Sequence, residues 1–184
     1  MTDGGPAGTR ADDRLLTDRL LTDRDRCAPL LARVLVVGYG NTLRSDDGVG
    51  PAVATSLAGD PRLRGAEVRV EHQLAPELAL DASRVDLVVL VDAAEGLRPG
   101  EVAIRRVEAA AHDAAGAPPM THHLDPAALV GLSRELWGVE PRMVVVSIGI
   151  ASTEVGEGLT PEVAASVARA ADAVAEIVMD RARA

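Results

Sequence analysis

The sequence predicts an α/β fold of three layers: a mixed, mostly parallel central sheet of about five strands, flanked by helices on both faces. Three observations predict it. The apolar runs 34–37 and 87–91 carry no alternating polar residues, as strands buried on both faces require. Asp125-Pro126 and Thr160-Pro161 each pair a capping side chain with a first-turn proline, the mark of a helix start. Strand-like and helix-like segments alternate along the chain, which is the order of a parallel sheet with crossover helices.

Taken in order, residues 34–37 form the first strand, and Gly38 and Gly40 end it by allowing a tight turn. The adjacent carboxylates Asp46 and Asp47 follow. Gly48, Gly50 and Pro51 lead into a helix over about 49–58. Residues 66–71 read as a second strand, and Pro76 opens a short helix to about Asp81. The third strand, 86–92, is five apolar residues bracketed by acids and ends on Asp92. The strand 102–107 follows through the Arg98-Pro-Gly100 turn, too soon for a crossover helix, and so is antiparallel or an edge. Residues 108–120, rich in Ala, Gly and Pro, read as a surface loop. A helix runs from Asp125 to about Trp137, a buried strand covers 143–150, and a last helix capped by Thr160 runs to about Arg181.

Composition narrows the function classes. The 184 residues fit one sizeable core. With one Trp, one Tyr and no Phe, that core must be Val, Leu, Ala and Ile. A net charge of -9 argues against nucleic acid as a partner. The single cysteine, Cys27, excludes an internal disulfide and a multi-cysteine zinc site. No apolar run approaches the ~20 residues of a membrane span, and the N-terminus lacks a signal-type apolar segment, so a cytoplasmic protein with no membrane partner is expected. Residues 1–31, Gly-rich and then repeating Arg-Leu-Leu-Thr-Asp at 14–18 and 19–23, read as a flexible extension. Residues 32–184 read as one domain.

The glycine turn after the first strand is not a nucleotide loop. A dinucleotide fingerprint needs a third glycine where Leu43 stands, and no Gly-Lys-Ser/Thr triplet exists. Two carboxylates at its tip would repel phosphate, and suit a cation or an activated water. Ligands in open α/β sheets collect at the carboxyl ends of strands. The Asp46-Asp47 pair leaves the first strand there, and Asp92 ends the third. The pair His122-His123 precedes a helix whose N-terminus lies at the same edge if the next strand is parallel. An Asp, an Asp and a His on one rim make a plausible divalent-metal set. The residues alone choose neither between Asp46 and Asp47 nor between His122 and His123. His72 reads as a strand-end surface histidine, His112 as a solvated loop residue, and Arg44 as a surface charge or ion-pair partner. Zinc-helix and nucleophile-elbow motifs are missing; Ser133 stands in Gly-Leu-Ser-Arg-Glu, which does not fit.

The string Gly38-Tyr-Gly-Asn-Thr-Leu-Arg-Ser-Asp-Asp-Gly-Val-Gly50 resembles the opening motif of the nickel–iron hydrogenase maturation proteases. The likeness continues, in order, through Asp92-Ala93, Met120-Thr-His-His-Leu124, Val144-Val-Val-Ser-Ile-Gly-Ile150 and Gly158-Leu-Thr-Pro161. It implies an endopeptidase of aspartic type that removes a C-terminal extension from a hydrogenase large-subunit precursor after nickel insertion. It further implies Asp47, Asp92 and His122 as the metal-contacting set, Asp47 and Asp92 as the catalytic acids, and His123 as the alternative histidine. The nickel would be carried by the substrate as a recognition mark. Asp47 stands where the family often has Glu, and 71–77 departs from the Asp-Gly-Gly-Thr-type stretch of some members, which leaves the hydrogenase subgroup open. Two other readings share these features: a nickel-dependent chaperone that leaves the precursor uncut, and another α/β hydrolase such as a peptidyl-tRNA hydrolase-like enzyme. A plain small-molecule binding module would show no metal dependence. Oligomeric state is not encoded legibly.

Overall fold

A computed structural model describes residues 33–108 and 124–183. The extension at 1–31 and nearly all of the 108–120 loop lie outside the described residues. Five strands form one sheet, β1 (Val34–Tyr39), β2 (Ala66–Glu71), β3 (Leu87–Ala94), β4 (Val102–Val107) and β5 (Met143–Gly149), in the order β2-β1-β3-β5-β4. The pairs β1–β2, β1–β3 and β3–β5 are parallel, and β4 runs antiparallel to β5 at one edge. The sheet is therefore mixed, as the short 93–101 connection demanded.

Alternation along the strands sends side chains to two separate cores. Val34, Val36, Val89, Val91, Val146 and Ile148 pack on one face beneath α1 (Val49–Leu57) and α5 (Val167–Arg183). Leu35, Val37, Val88, Leu90, Met143 and Val145 pack on the other beneath α2 (Leu78–Ala82) and α3 (Pro126–Trp137). Both faces are covered, so both parities of each inner strand had to be apolar. Each such buried side chain is worth roughly 1.5–3 kcal/mol relative to exposure.

Several boundaries differ from the sequence reading. The short helix begins at Leu78; Pro76 lies in the turn before it, where its carbonyl accepts from Ala79 N–H. Asp86 lies before β3 and accepts from Arg33 N–H, and β3 runs two residues past Asp92. The expected last helix is two: α4 (Pro161–Ala164) and α5, parted at Ala165 and Ser166. The Ser166 hydroxyl donates to the Val163 carbonyl at 2.7 Å, diverting an acceptor at the junction. Thr160 stands at the N-cap position but makes no side-chain cap bond; its hydroxyl turns instead to Asp46.

Helix α1 sits unusually close to the sheet. A Cβ at Gly50 would run into the Tyr39 carbonyl oxygen and lie 2.5 Å from that of Val91. Gly50→Ala should therefore lower stability by about 1–3 kcal/mol, read by thermal or urea unfolding, although alanine is the better helix former. An unchanged midpoint would mean that α1 can move away from β1 freely.

Candidate active site

The site is built on the turn that leaves β1. Gly40 takes φ +143°, a conformation that favours glycine, and the chain then folds back on itself. Arg44 N–H donates to the Asn41 carbonyl, Leu43 N–H to Asn41 Oδ1, and Asn41 N–H to Asp47 Oδ2 at 2.9 Å. Ser45 adopts φ +48°, rare for a residue with a side chain, and the 3-10 turn Ser45–Gly48 follows. This sends the two adjacent acids in opposite directions.

Asp46 is fully buried. It accepts from Ala151 N–H at 2.9 Å, Ser152 N–H at 3.1 Å, Thr160 N–H at 2.6 Å and the Thr160 hydroxyl at 2.9 Å. Burial alone would raise its pKa, but these four bonds favour the anion and hold it below the ordinary carboxylate range. Asp46 is the structural member of the pair, tying the turn to the 151–160 loop. A parallel bridge, Arg44 to Gly156, adds a second tie.

Asp47 instead faces a cleft of about 520 Å³ at the carboxyl ends of β1 and β3. Asp92 lies on the same cleft, and its register explains why. Gly38 pairs with Val91, so Tyr39 and Asp92 come next on neighbouring strands and share the face of Val37 and Leu90. The Tyr39 hydroxyl donates to Asp92 Oδ2 at 2.6 Å. Desolvation is the largest influence on Asp92 and pushes its pKa up to about 6; the negative charge of Asp47 pushes the same way. Opposing this are the Tyr39 hydroxyl, Ala93 N–H and, more weakly, the Arg105 charge. Burial and the Asp92 charge also drive the Tyr39 phenol well above its ordinary range.

The remaining wall brings in His72, Gln73, Leu74, Glu95, Leu124, Asp125, Pro126, Arg44 and Thr153. Asp125 also caps α3, accepting from Ala128 N–H at 2.7 Å. His72 is solvent-exposed as expected, yet borders the cleft. Arg44 donates through Nε to the Thr153 carbonyl and makes no ion pair among the described residues. Asp47 and Asp92 thus come together, whereas His122 and His123 lie outside the described residues. Among the described residues alone, no three His, Cys, Asp or Glu side chains form a metal-holding group. The sequence reading missed Tyr39, whose signal was an aromatic at the last position of the first strand in a chain nearly devoid of aromatics.

A larger recess, about 730 Å³, opens at the amino ends of β3 and β5. Its charges, Arg106, Arg142 and Arg181 against Glu108, Glu140 and Asp180, are mixed in sign. The smaller cleft is the candidate site, because it lies at the carboxyl strand ends and holds Asp92 and Tyr39, both shifted upward by burial. Among the described residues no helix is long and apolar enough to cross a membrane.

No curated protein matches the chain. Solved structures do. The hydrogenase maturating endopeptidase HybD from E. coli superposes with a TM-score of 0.64 at 24% identity, covering 81% of this chain and 93% of its own. The NiFe hydrogenase maturation protease HycI from Thermococcus kodakarensis KOD1 gives 0.63 at 23% identity, covering 88% and 99%. These likenesses are of fold. The family model described as hydrogenase maturation protease matches residues 74–177, a span that contains Asp92 and begins after Asp47. Since that match spans more than half of the sequence, the chain belongs to the hydrogenase maturation protease family.

Proposed function

We propose that this protein is an endopeptidase that removes the C-terminal extension of a nickel–iron hydrogenase large-subunit precursor, in the cytoplasm, after nickel insertion. The observation that carries the reading is the meeting of Asp47 and Asp92, from two separate strand ends, in one acidic cleft. Family membership supports the proteolytic activity; the precursor, the nickel gate and the aspartic-type chemistry are our proposals. Nickel enters as part of the substrate, held by Asp47 and Asp92 with His122 as third contact and His123 as the alternative. The carboxylates suit that role, since hard oxygen donors with an imidazole bind divalent nickel and leave coordination positions open. Nickel then anchors the precursor with its scissile bond in the cleft.

Asp92 is placed for general acid–base work, since it lines the cleft and burial lifts its pKa to about 6 before the substrate's nickel arrives. A water hydroxyl attacks the scissile carbonyl carbon as Asp92 takes the water proton. The C–N bond then breaks, and the proton passes to the leaving amine. The products are a new C-terminal carboxylate on the large subunit and a free peptide. The acid-lined wall of Asp47, Asp92, Glu95 and Asp125 is a poor surface for the phosphates of a tRNA.

The test is the intact mass of a large-subunit precursor incubated with this protein, with and without nickel loading. Loss of a C-terminal peptide in the loaded sample alone is expected, and Asp47→Asn should abolish it without changing the circular dichroism. An uncut, nickel-loaded precursor that still binds would transfer the assignment to a chaperone.

A further inference from the structure

We propose that Tyr39 is a positioning residue for the cleavage, fixing the Asp92 carboxylate so that a single oxygen serves the reaction. This rests on the protease reading above. Three features carry it. First, the Tyr39 hydroxyl donates to Asp92 Oδ2 at 2.6 Å, in the short range of hydrogen bonds to an anion. One lone pair of Oδ2 is thereby taken, so proton transfer falls to Oδ1 and nickel contact to a lone pair still free. Second, the phenol hangs from a backbone with little freedom. Tyr39 closes β1, pairs with Glu71 of β2, and has its carbonyl beside Gly50 of α1, where no side chain would fit. Third, the ring packs on the core face that holds Leu35, Val37 and Leu90 and also lines the cleft. The hydroxyl therefore reaches Asp92 from a fixed platform, one strand away and in register.

A carboxylate at a strand end otherwise rotates about its side-chain torsions, presenting either oxygen. A rigid donor on one oxygen removes that freedom before the substrate arrives, and orientation of this kind acts on the rate of the bound complex. Asp47 has its own tether, from Asn41 N–H to Oδ2. Asp47 is thus tethered by main chain, and Asp92, beside its bond from Ala93 N–H, by a side chain that mutation can remove.

The decisive variant is Tyr39→Phe, which keeps the ring and deletes the donor. On a nickel-loaded precursor, kcat is expected to fall about 10- to 100-fold, while KM stays near wild type and the unfolding midpoint drops only by the few degrees that one lost hydrogen bond costs. An unchanged kcat would overturn the proposal, and so would a loss lying wholly in KM, because the residue would then be binding substrate. A second readout needs no cleavage. The chain has one tyrosine, so 3-fluorotyrosine labels this site alone. Its fluorine resonance in the free protein should move on Asp92→Ala; no movement would mean that the hydroxyl is not held by Asp92. A wild-type protein that leaves the loaded precursor intact would overturn the protease reading instead, and the fluorine result would still decide the clamp.

Discussion

Asp92→Asn is expected to abolish precursor processing and, at the same time, to make the protein more stable at neutral pH. Both effects have one cause. The carboxylate is half-buried, and desolvation raises its pKa from an ordinary 3.8 to about 6. Below pH about 4 the group is protonated in both the folded and unfolded chains, and burial of the neutral acid carries no charge penalty. Between 4 and 6 the folded protein keeps a proton that the unfolded chain has released, so stability falls as pH rises. Above 6 both are ionised and the penalty is complete. A displacement of this size corresponds to on the order of 1–3 kcal/mol at neutral pH, the lower end allowing for the carboxylate's partial exposure. Asn is isosteric, carries no charge, and can still accept from the Tyr39 hydroxyl. Thermal unfolding at pH 7.5 should show a midpoint several degrees higher for the variant, and the gain should vanish at pH 4. A variant equal to wild type at pH 7.5 would show that water reaches Asp92 freely. Full processing by the variant would remove Asp92 from the chemistry.

Asp46→Ala has the opposite sign and the larger size. Its carboxylate satisfies three backbone N–H groups and one hydroxyl, on Ala151, Ser152 and Thr160, at a fully buried position. Alanine leaves those donors without an acceptor and a cavity where the carboxylate was. The expected loss is about 3–5 kcal/mol, measured by urea unfolding at pH 7. The pH dependence checks the cause. Because the folded state lowers the Asp46 pKa, its contribution is present above the ordinary carboxylate pKa and is lost as pH falls through the lowered value. The gap between wild type and variant should therefore narrow in acid. A gap that stays constant from pH 7 to pH 2 would point to packing rather than to the charge. Loss of activity is also expected, since the next residue along the turn is Asp47.

The contrast between these neighbours shows where legibility ends. The α/β layering was readable because apolar runs of both parities need two covered faces. The antiparallel β4 was readable because 93–101 has no room for a crossover. Helix α3 was readable in its span, from Asp125-Pro126 to about Trp137; the structure ends it there on Gly138 in a left-handed cap conformation. The fate of Asp46 and Asp47 was not. It depends on the positive φ of Ser45 and on donors more than a hundred residues downstream. The same loop diverts Thr160 from capping α4. Tyr39 was missed because its importance is one of register: only the Gly38–Val91 pairing sets it beside Asp92. That one acid of the pair would meet Asp92 was legible from topology, since both segments leave the carboxyl ends of parallel strands; that the acid is Asp47 was implied only by the family resemblance.

The scarcity of aromatics has a practical meaning for optical work. Trp137 stands 40% exposed at the end of α3, and the one tyrosine lines the cleft. Trp137 lies outside the two aliphatic cores, and Tyr39 meets one of them only at its cleft-side edge. Emission and near-ultraviolet dichroism therefore report on an outer helix end and on the cleft beside Asp92, while most of the aliphatic interior is spectroscopically silent. A ligand-induced change in the tyrosine signal would be a local report from beside Asp92, uncontaminated by any other ring of its kind.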